Sequence, residues 1–351
     1  MKILLLVNET QAAGGSGRNA TNLSTALREG GNEVFIIGYQ YDFLSFLKKA
    51  RAIAKVSDIV YAVDINPIGF AGYLATRFTR VKLVIIAQAA YAVAPLYNKK
   101  TALFSRIVYR SADAVVAGSL FVANEIKKKV TKISVTIIDP GIDMTEFTGI
   151  SRMQITEGPP FMISVGAVKV RKGQDVSLRA FALLKKDIPD LRYIIIGSQT
   201  DEPKYFRDLV NLAHELGVER DVDFLTKIPD ADLKNLYSRA SLFILTSVNI
   251  GFHFEGFGMV FLEAAAYGVP SVGTLGNGIE GAVENGYTGI LVPQKDPVAT
   301  AMAAKKILTD KALAERMSLR AQAFAREHDI PYLVKAYNQL QDALYAVDHA
   351  K

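Results

Sequence analysis

Glu255 and Glu263 frame the stretch Glu255-Gly256-Phe257-Gly258-Met259-Val260-Phe261-Leu262-Glu263. Ionised carboxylates are pure hydrogen-bond acceptors, suited to hydroxyl donors. Gly256 and Gly258 leave the backbone amides between them open to close approach. From Met259 to Tyr267 the chain is apolar and alanine-rich, which predicts a helix with Gly268 just past its end and Pro270 as the stop. Glu255 then lies in the loop before the helix and Glu263 about a turn inside it. A helix start with bare N–H groups behind a Gly-x-Gly loop is suited to a diphosphate. The carboxylates on either side are suited to the hydroxyls of a sugar and a ribose. Two glutamates at this spacing alone would read as a buried helix with a glycine-rich lead-in. The Gly-Phe-Gly between them and the Ala264-x-Ala266-x-Gly268-x-Pro270 run after them favour the binding reading.

Other motifs carry less. Gly15-Ser16-Gly17-Arg18-Asn19-Ala20 fits the G-x-G-x-x-A fingerprint of dinucleotide sites, but Asn8 to Gly14 separate it from the strand it should follow. No acidic residue closes the second strand either, since Ile36-Ile37-Gly38 runs into Tyr39 and Gln40. An NAD(P)-dependent oxidoreductase is therefore the lesser reading. Asp221-Val222-Asp223 and Asp230-Ala231-Asp232 have the letters of a metal-diphosphate motif. The first opens a strand and the second starts a helix, where acids suit the dipole. Neither is read as a metal site, and no metal or cofactor is expected.

These residues sit in a chain of alternating elements. Strands are predicted at Lys2–Val7, Glu33–Ile37, Ile59–Ala62, Lys82–Ala87, Ala114–Ala117 and Ser134–Ile138, with helical stretches such as Ala20–Glu29, Leu44–Ala54 and Ser105–Ser111 between them. A second set runs through Phe161–Val165, Tyr193–Gly197, Val222–Leu225, Ser241–Leu245, Ser271–Gly273 and Ile290–Val292. Such alternation predicts an α/β protein with two doubly wound parallel sheets. The polar stretch from Gly149 to Pro160, ended by glycine and proline, reads as a linker. The expected domains are 1–155 and 156–332, with an amphipathic tail helix from Pro331 to Val347. A length of 351 residues supports two cores rather than one.

Composition excludes some classes. Half of the residues are hydrophobic and 22% are charged, as in globular chains. No uncharged apolar window approaches the length that spans a bilayer. Lys2-Ile3-Leu4-Leu5-Leu6-Val7 reads as a buried strand rather than an export signal, so a cytoplasmic location is expected. The chain has no cysteine, which excludes disulfides and thiolate metal sites. Residues 1–150 carry a net charge of +7 and residues 151–351 a net of −1. The excess lies in clusters such as Lys99-Lys100, Arg106 and Arg110, alongside Leu103, Phe104, Ile107 and Tyr109. It reads either as a solvated face or as attraction to an anionic acceptor or membrane surface. No nucleic-acid motif accompanies it.

The second half resembles glycosyltransferase family 4, the retaining GT-B glycosyltransferases known as glycosyl transferases group 1. The glutamate pair is similar to that family's E-x7-E signature. Val165-Gly166-Ala167 with Lys172-Gly173-Gln174-Asp175 resembles its first strand and loop. Tyr193 to Gly197, Val222 to Leu225, Tyr237 to Ala240, Gly276 to Glu280 and Gly286 to Val292 follow in the family's order. The first half matches more loosely through Gly14-Gly15, Gly31-Asn32-Glu33-Val34 and Pro140-Gly141-Ile142-Asp143. The resemblance implies a GT-B fold of two Rossmann-like domains facing a cleft. The first domain takes the acceptor, the second takes the donor, and the last helix, 333–351, packs back on the first.

It also implies a retaining, metal-independent hexosyltransferase that uses a UDP- or GDP-sugar and a glycan or lipid-linked acceptor. The cellular setting implied is cell-envelope glycan synthesis, with peripheral contact to an anionic membrane. Lys172 is implied to neutralise the leaving diphosphate, and Glu263 to hold the ribose. Glu255, with the amides of Gly256, Phe257, Gly258, Met259 and Val260, is implied to hold the donor. Gly14, Gly15 and Gln88 are implied to meet the donor from the first domain. The chain departs from the family twice. Ala167 stands where many members have an arginine, for which Lys169 or Arg171 are candidates. Gln88 stands where many have a histidine, since all four histidines lie in the second half. These departures leave open a catalytically silent sugar-nucleotide-binding subunit of the same fold.

Overall fold

A computed structural model describes residues 1–8, 14–147 and 159–349. Contacts divide it into two units, Met1–Asp143 with His328–Lys351, and Met144–Glu327. Most of the expected linker, residues 149–158, and the expected 155/156 boundary lie outside the described residues.

The first unit is a six-stranded sheet of β1 (Lys2–Val7), β2 (Glu33–Gly38), β3 (Ile59–Val63), β4 (Lys82–Ala87), β5 (Ala114–Ala117) and β6 (Thr136–Ile137). The order is β2-β1-β3-β4-β5-β6 and every pairing is parallel. Parallel strands covered on both faces need apolar residues at every position. The runs Ile3–Val7 and Ile59–Val63 supply them and are buried throughout. Helices α1 (Gly14–Glu29), α2 (Phe43–Ala54), α3 (Phe70–Thr76), α4 (Ala90–Tyr97), α5 (Ala102–Ser111) and α6 (Leu120–Lys129) connect the strands. Asp42 caps α2 by accepting from Ser45 N, and Ser119 caps α6 by accepting from Val122 N.

Two local readings are corrected here. Gly14 to Asn19, read as a loop, form the first turns of α1, which starts six residues before the expected Ala20. Glycine disfavours a helix interior by about 1 kcal/mol each. Leu23, Ala26 and Leu27 are buried in the core that α1 shares with the C-terminal helix, and that packing outweighs the propensity. The expected strand Ser134–Ile138 pairs only over Thr136–Ile137, at the sheet edge.

The second unit repeats the plan with β7 (Phe161–Val165), β8 (Arg192–Ile196), β9 (Val222–Leu225), β10 (Leu242–Ile244), β11 (Ser271–Thr274) and β12 (Gly289–Val292). Its order is β12-β11-β10-β7-β8-β9, again all parallel. Helices α7 (Gln174–Leu184), α8 (Pro203–Glu215), α9 (Asp230–Arg239), α10 (Met259–Ala266), α11 (Pro297–Thr309) and α12 (Lys311–Glu327) flank it. From β7 the chain winds outward to β8 and β9, and from β10 outward the other way to β11 and β12. Strand order therefore reverses between β7 and β10. The carboxyl ends of strands at such a reversal open a crevice where open α/β sheets hold ligands.

The last helix, α13 (Ile330–His349), belongs to the first unit and packs on α1. Ile330, Leu333, Tyr337, Leu340 and Leu344 form its buried stripe at helical spacing. Gln341 Nε2 donates to Tyr61 OH at 3.3 Å, and Tyr345 OH to the Asp58 carbonyl at 3.1 Å.

Candidate functional site

The loops after β7 and β10 meet at the reversal point of the second sheet. After β7 the backbone turns at Gly166, passes through a short 3-10 turn over Val170–Lys172, and enters α7 at Gly173. Gly173 has φ 66°, and a Cβ there would lie 2.0 Å from the Thr246 carbonyl oxygen, so no other residue fits. Thr246 Oγ1 donates to the Gly173 carbonyl at 2.6 Å, and Val248 N to the Arg171 carbonyl at 2.8 Å. These bonds stitch the two loops together and aim Lys172 inward, where it is 8% exposed.

Lys172 Nζ lies 2.7 Å from Glu255 Oε2, and the same oxygen accepts from Ser247 Oγ at 3.1 Å and Arg171 NH1 at 3.4 Å. Burial by itself pushes the Glu255 carboxyl up. The charges of Lys172 and Arg171, with hydrogen bonds from Lys172 and Ser247, outweigh it and hold the group below its ordinary range. Glu255 is thus a largely buried, ionised acceptor, its side chain 12% exposed, matched by two cations. Of the two candidates for the arginine role, Arg171 reaches the site. Lys169 is engaged elsewhere, 2.8 Å from Asp201.

The Gly-Phe-Gly segment is packed as tightly as its composition suggests. Gly278 N donates to the Glu255 carbonyl at 2.8 Å, and a Cβ on Gly278 would fall 1.9 Å from the Gly256 carbonyl oxygen. Gly258 takes φ 90° at the start of α10, and no side chain caps the helix. Phe257 and Met259 are buried, so this segment offers a ligand its backbone rather than its side chains. Glu263 is 4% exposed on α10, and Tyr237 OH donates to its Oε2 at 3.2 Å. Tyr237 is held by Tyr267, stacked at 5.8 Å, and by Phe243 at 6.1 Å.

Sequence reasoning identifies Lys172, Glu255, Gly256, Gly258 and Glu263, reaches Tyr237 only as the start of a motif, and misses Ser247. Ser247 lies in the loop three residues past the end of β10 and Tyr237 in the last turn of α9, and neither carries a local signal of its own. Asn277 enters the sequence pattern only within the segment Gly276 to Glu280. It is fully buried, caps Ile279 N at 2.9 Å, and donates to Thr274 Oγ1 at 3.0 Å; that hydroxyl donates to the Ser247 carbonyl at 2.6 Å. Three of the four Asp-x-Asp acids are in ion pairs: Asp221 with Lys185 at 3.0 Å, Asp223 with Arg192 at 2.9 Å, and Asp230 with Lys234 at 3.0 Å. His253 is an exposed residue of a small bridged loop with Ile250.

In the first unit, Gly14 and Gly15 sit at the start of α1. Gln88 follows β4 directly and is 7% exposed. Neither side-chain amide atom, Oε1 nor Nε2, has a hydrogen-bond partner among the described residues. Its backbone N–H donates to Asp64 Oδ1 at 3.2 Å. Asp64, which the sequence reading passes over, follows β3 with φ 66° and is 4% exposed. Burial raises its pKa to about 7, against a smaller lowering from the Gln88 N–H.

Two all-parallel, helix-flanked six-stranded units, each wound about a reversal in strand order, define the GT-B class of α/β protein. Residues 150–324 match the family model described as glycosyl transferases group 1, and over that segment the chain belongs to this family. D-inositol 3-phosphate glycosyltransferase of Corynebacterium urealyticum is 32% identical over 228 residues, covering 60% of this chain and 52% of the relative. The same-named protein of Nocardia farcinica is 28% identical over 296 residues, covering 77% and 64%. The chain thus spans between half and two thirds of the length of these curated relatives. Anabaena HepE, solved with UDP and glucose, superposes with TM-score 0.78 at 22% identity, over 97% of this chain and 99% of that one. Sucrose-phosphate synthase of Thermosynechococcus elongatus superposes with TM-score 0.79 at 18% identity, over 99% and 100%. At these identities the superpositions bear on the fold alone.

Proposed function

We propose that the protein is a retaining, metal-independent hexosyltransferase that moves a sugar from a UDP- or GDP-sugar to a glycan or lipid-linked acceptor. The observation that carries this reading is the buried Lys172–Glu255 pair at the strand-order reversal, in the same Glu-x7-Glu stretch as the uncapped start of α10 and Glu263. Breaking an anomeric C–O bond places negative charge on the leaving diphosphate. Lys172, Arg171 and the N–H groups at the start of α10 are preorganised donors for that charge. Glu255 accepts hydroxyls of the donor sugar as Lys172 turns to the phosphate. Glu263, fixed by Tyr237, accepts the ribose hydroxyls. Support for a nucleotide-sugar donor comes from HepE, which was solved with UDP and glucose. The relatives named for inositol 3-phosphate favour a hydroxylated, anionic acceptor. The basic first unit suits such an acceptor or an anionic bilayer at which the protein is peripheral. No helix of the described residues is long and apolar enough to cross a membrane.

A silent sugar-nucleotide-binding subunit is the second reading. It is favoured by Gln88, which has no proton to shuttle where many family members carry histidine.

A thermal-shift panel of UDP-, GDP- and ADP-sugars with NAD(P) tests the proposal, followed by turnover of the hit in excess EDTA. Stabilisation by one nucleotide-sugar, no NAD(P) response and EDTA-resistant transfer are expected. Binding without turnover selects the silent subunit. Loss in EDTA restored by Mn²⁺ or Mg²⁺ overturns metal independence.

A further inference from the structure

Helices α2, α3 and α5 pack side by side on one face of the first sheet. Phe43 on α2 stacks on Phe70 of α3 at 5.8 Å and 15°, and Phe70 meets Phe104 of α5 edge-on at 5.8 Å and 63°. Phe70 and Phe104 form part of the wall of a cavity of about 190 Å³, with Ile65, Thr101 and Val108. Ile65 directly follows Asp64, so the cavity lies at the C-terminal edge of β3, the edge at which open α/β sheets bind ligands. Around it, large apolar side chains stand in solvent: Leu44 is 78% exposed, Leu103 63% and Phe104 55%.

The charge around this patch is one-sided. Segments 42–54, 70–77 and 98–111 hold eight Lys and Arg residues and one acid, Asp42, which is occupied in capping α2. Lys99 and Lys100 are exposed and immediately precede Thr101 of the cavity wall. A soluble sugar gives no reason for an aromatic-walled hole among exposed leucines. Hydrocarbon fills such a hole, and an anionic headgroup answers the excess of cations in these segments.

We infer that this cavity takes the hydrocarbon chain of an anionic lipid, with Lys99 and Lys100 meeting the headgroup. The inference deepens the lipid-linked form of the proposed acceptor and rests on it.

The chain has no tryptophan, so Phe104→Trp introduces a single indole into it. Its fluorescence is read on phosphatidylcholine–phosphatidylglycerol vesicles with brominated or ordinary chains, and with a monomeric bromoalkyl sulfate. Tyr287→Trp, at a position 69% exposed in the second unit, is the control. Contact with hydrocarbon should halve the Phe104→Trp signal, roughly, on brominated chains, with recovery as salt screens the binding; the Tyr287→Trp signal should not change. Vesicle sedimentation without quenching by either bromide overturns the cavity assignment and leaves surface docking standing. Failure of the wild type to sediment removes the lipid-linked reading itself. In that case quenching by the alkyl sulfate keeps the cavity as a hydrocarbon site, and no quenching ends that claim too.

Discussion

Each unit places a buried acid at the C-terminal edge of its parallel sheet, and the two acids are built in opposite ways. Glu255 in the second unit has Lys172 at 2.7 Å, Arg171 at 3.4 Å and Ser247 at 3.1 Å, which hold it ionised. Asp64 in the first unit accepts one backbone N–H, from Gln88 at 3.2 Å, and burial carries its pKa to about 7. Beside it the Gln88 amide has both ends unmet among the described residues. Buried polar groups left without partners cost roughly 1–3 kcal/mol each. The second unit has thus assembled its charges in advance of a charged ligand. The first keeps a desolvated polar spot whose one acid titrates near neutrality.

The largest effect expected from breaking this contrast is at Lys172. Lys172→Met removes the proposed main donor to the leaving diphosphate and should lower kcat by about 10²–10³. It also leaves Glu255 with Arg171 and Ser247 as its remaining partners, which should cost roughly 1–3 kcal/mol of stability. Adding Glu255→Gln to that variant should restore part of the melting temperature and none of the turnover. Full stability in the single variant would show the pair to be unimportant to the fold. Glu255→Gln alone should lower kcat while leaving the affinity for free nucleoside diphosphate nearly unchanged, because its proposed ligand is the sugar. A parallel loss of both, read by titration and steady-state kinetics, would contradict that division.

The two acids also predict opposite slopes of stability with pH. Glu255 has a depressed pKa, so its contribution is present above the ordinary glutamate range and is lost as pH falls through the lower folded value. Asp64 has a raised pKa, so its contribution is full below about pH 4 and is lost as pH rises to about 7. Asp64→Asn keeps the acceptor for Gln88 N–H and removes that loss. Its melting temperature relative to wild type should therefore rise between pH 4 and pH 8, by an amount on the order of a few kcal/mol in stability. A difference that does not vary with pH would remove the desolvated-acid account.

What was legible in the sequence follows from how local each signal is. The strands Ile3–Val7 and Ile59–Val63 can be read directly, because a strand buried on both faces leaves an unbroken apolar run. Helix α10 is legible from its alanines and from Gly268, which takes φ 69° just past its end. The start of α1 is not, because Gly14 to Gly17 favour a loop until core packing decides otherwise. The Lys172–Glu255 contact joins residues 83 positions apart and depends on β7 lying beside β10, a neighbour relation no local pattern specifies. Asp64 is hidden for the same reason: nothing around it in sequence reveals that β4 will deliver the Gln88 N–H to its carboxylate.

The central claim, that the Glu-x7-Glu segment of the second unit holds a nucleotide-sugar, is tested most directly at Glu263. Glu263→Gln keeps an acceptor for the Tyr237 hydroxyl but replaces one carboxylate oxygen with a donor that clashes with ribose hydroxyls. Calorimetric titration of UDP or GDP, whichever the donor panel selects, should show binding weakened roughly five- to 150-fold relative to wild type, about 1–3 kcal/mol, with an unchanged thermal melt. Equal nucleotide affinity in the two proteins would contradict the assignment.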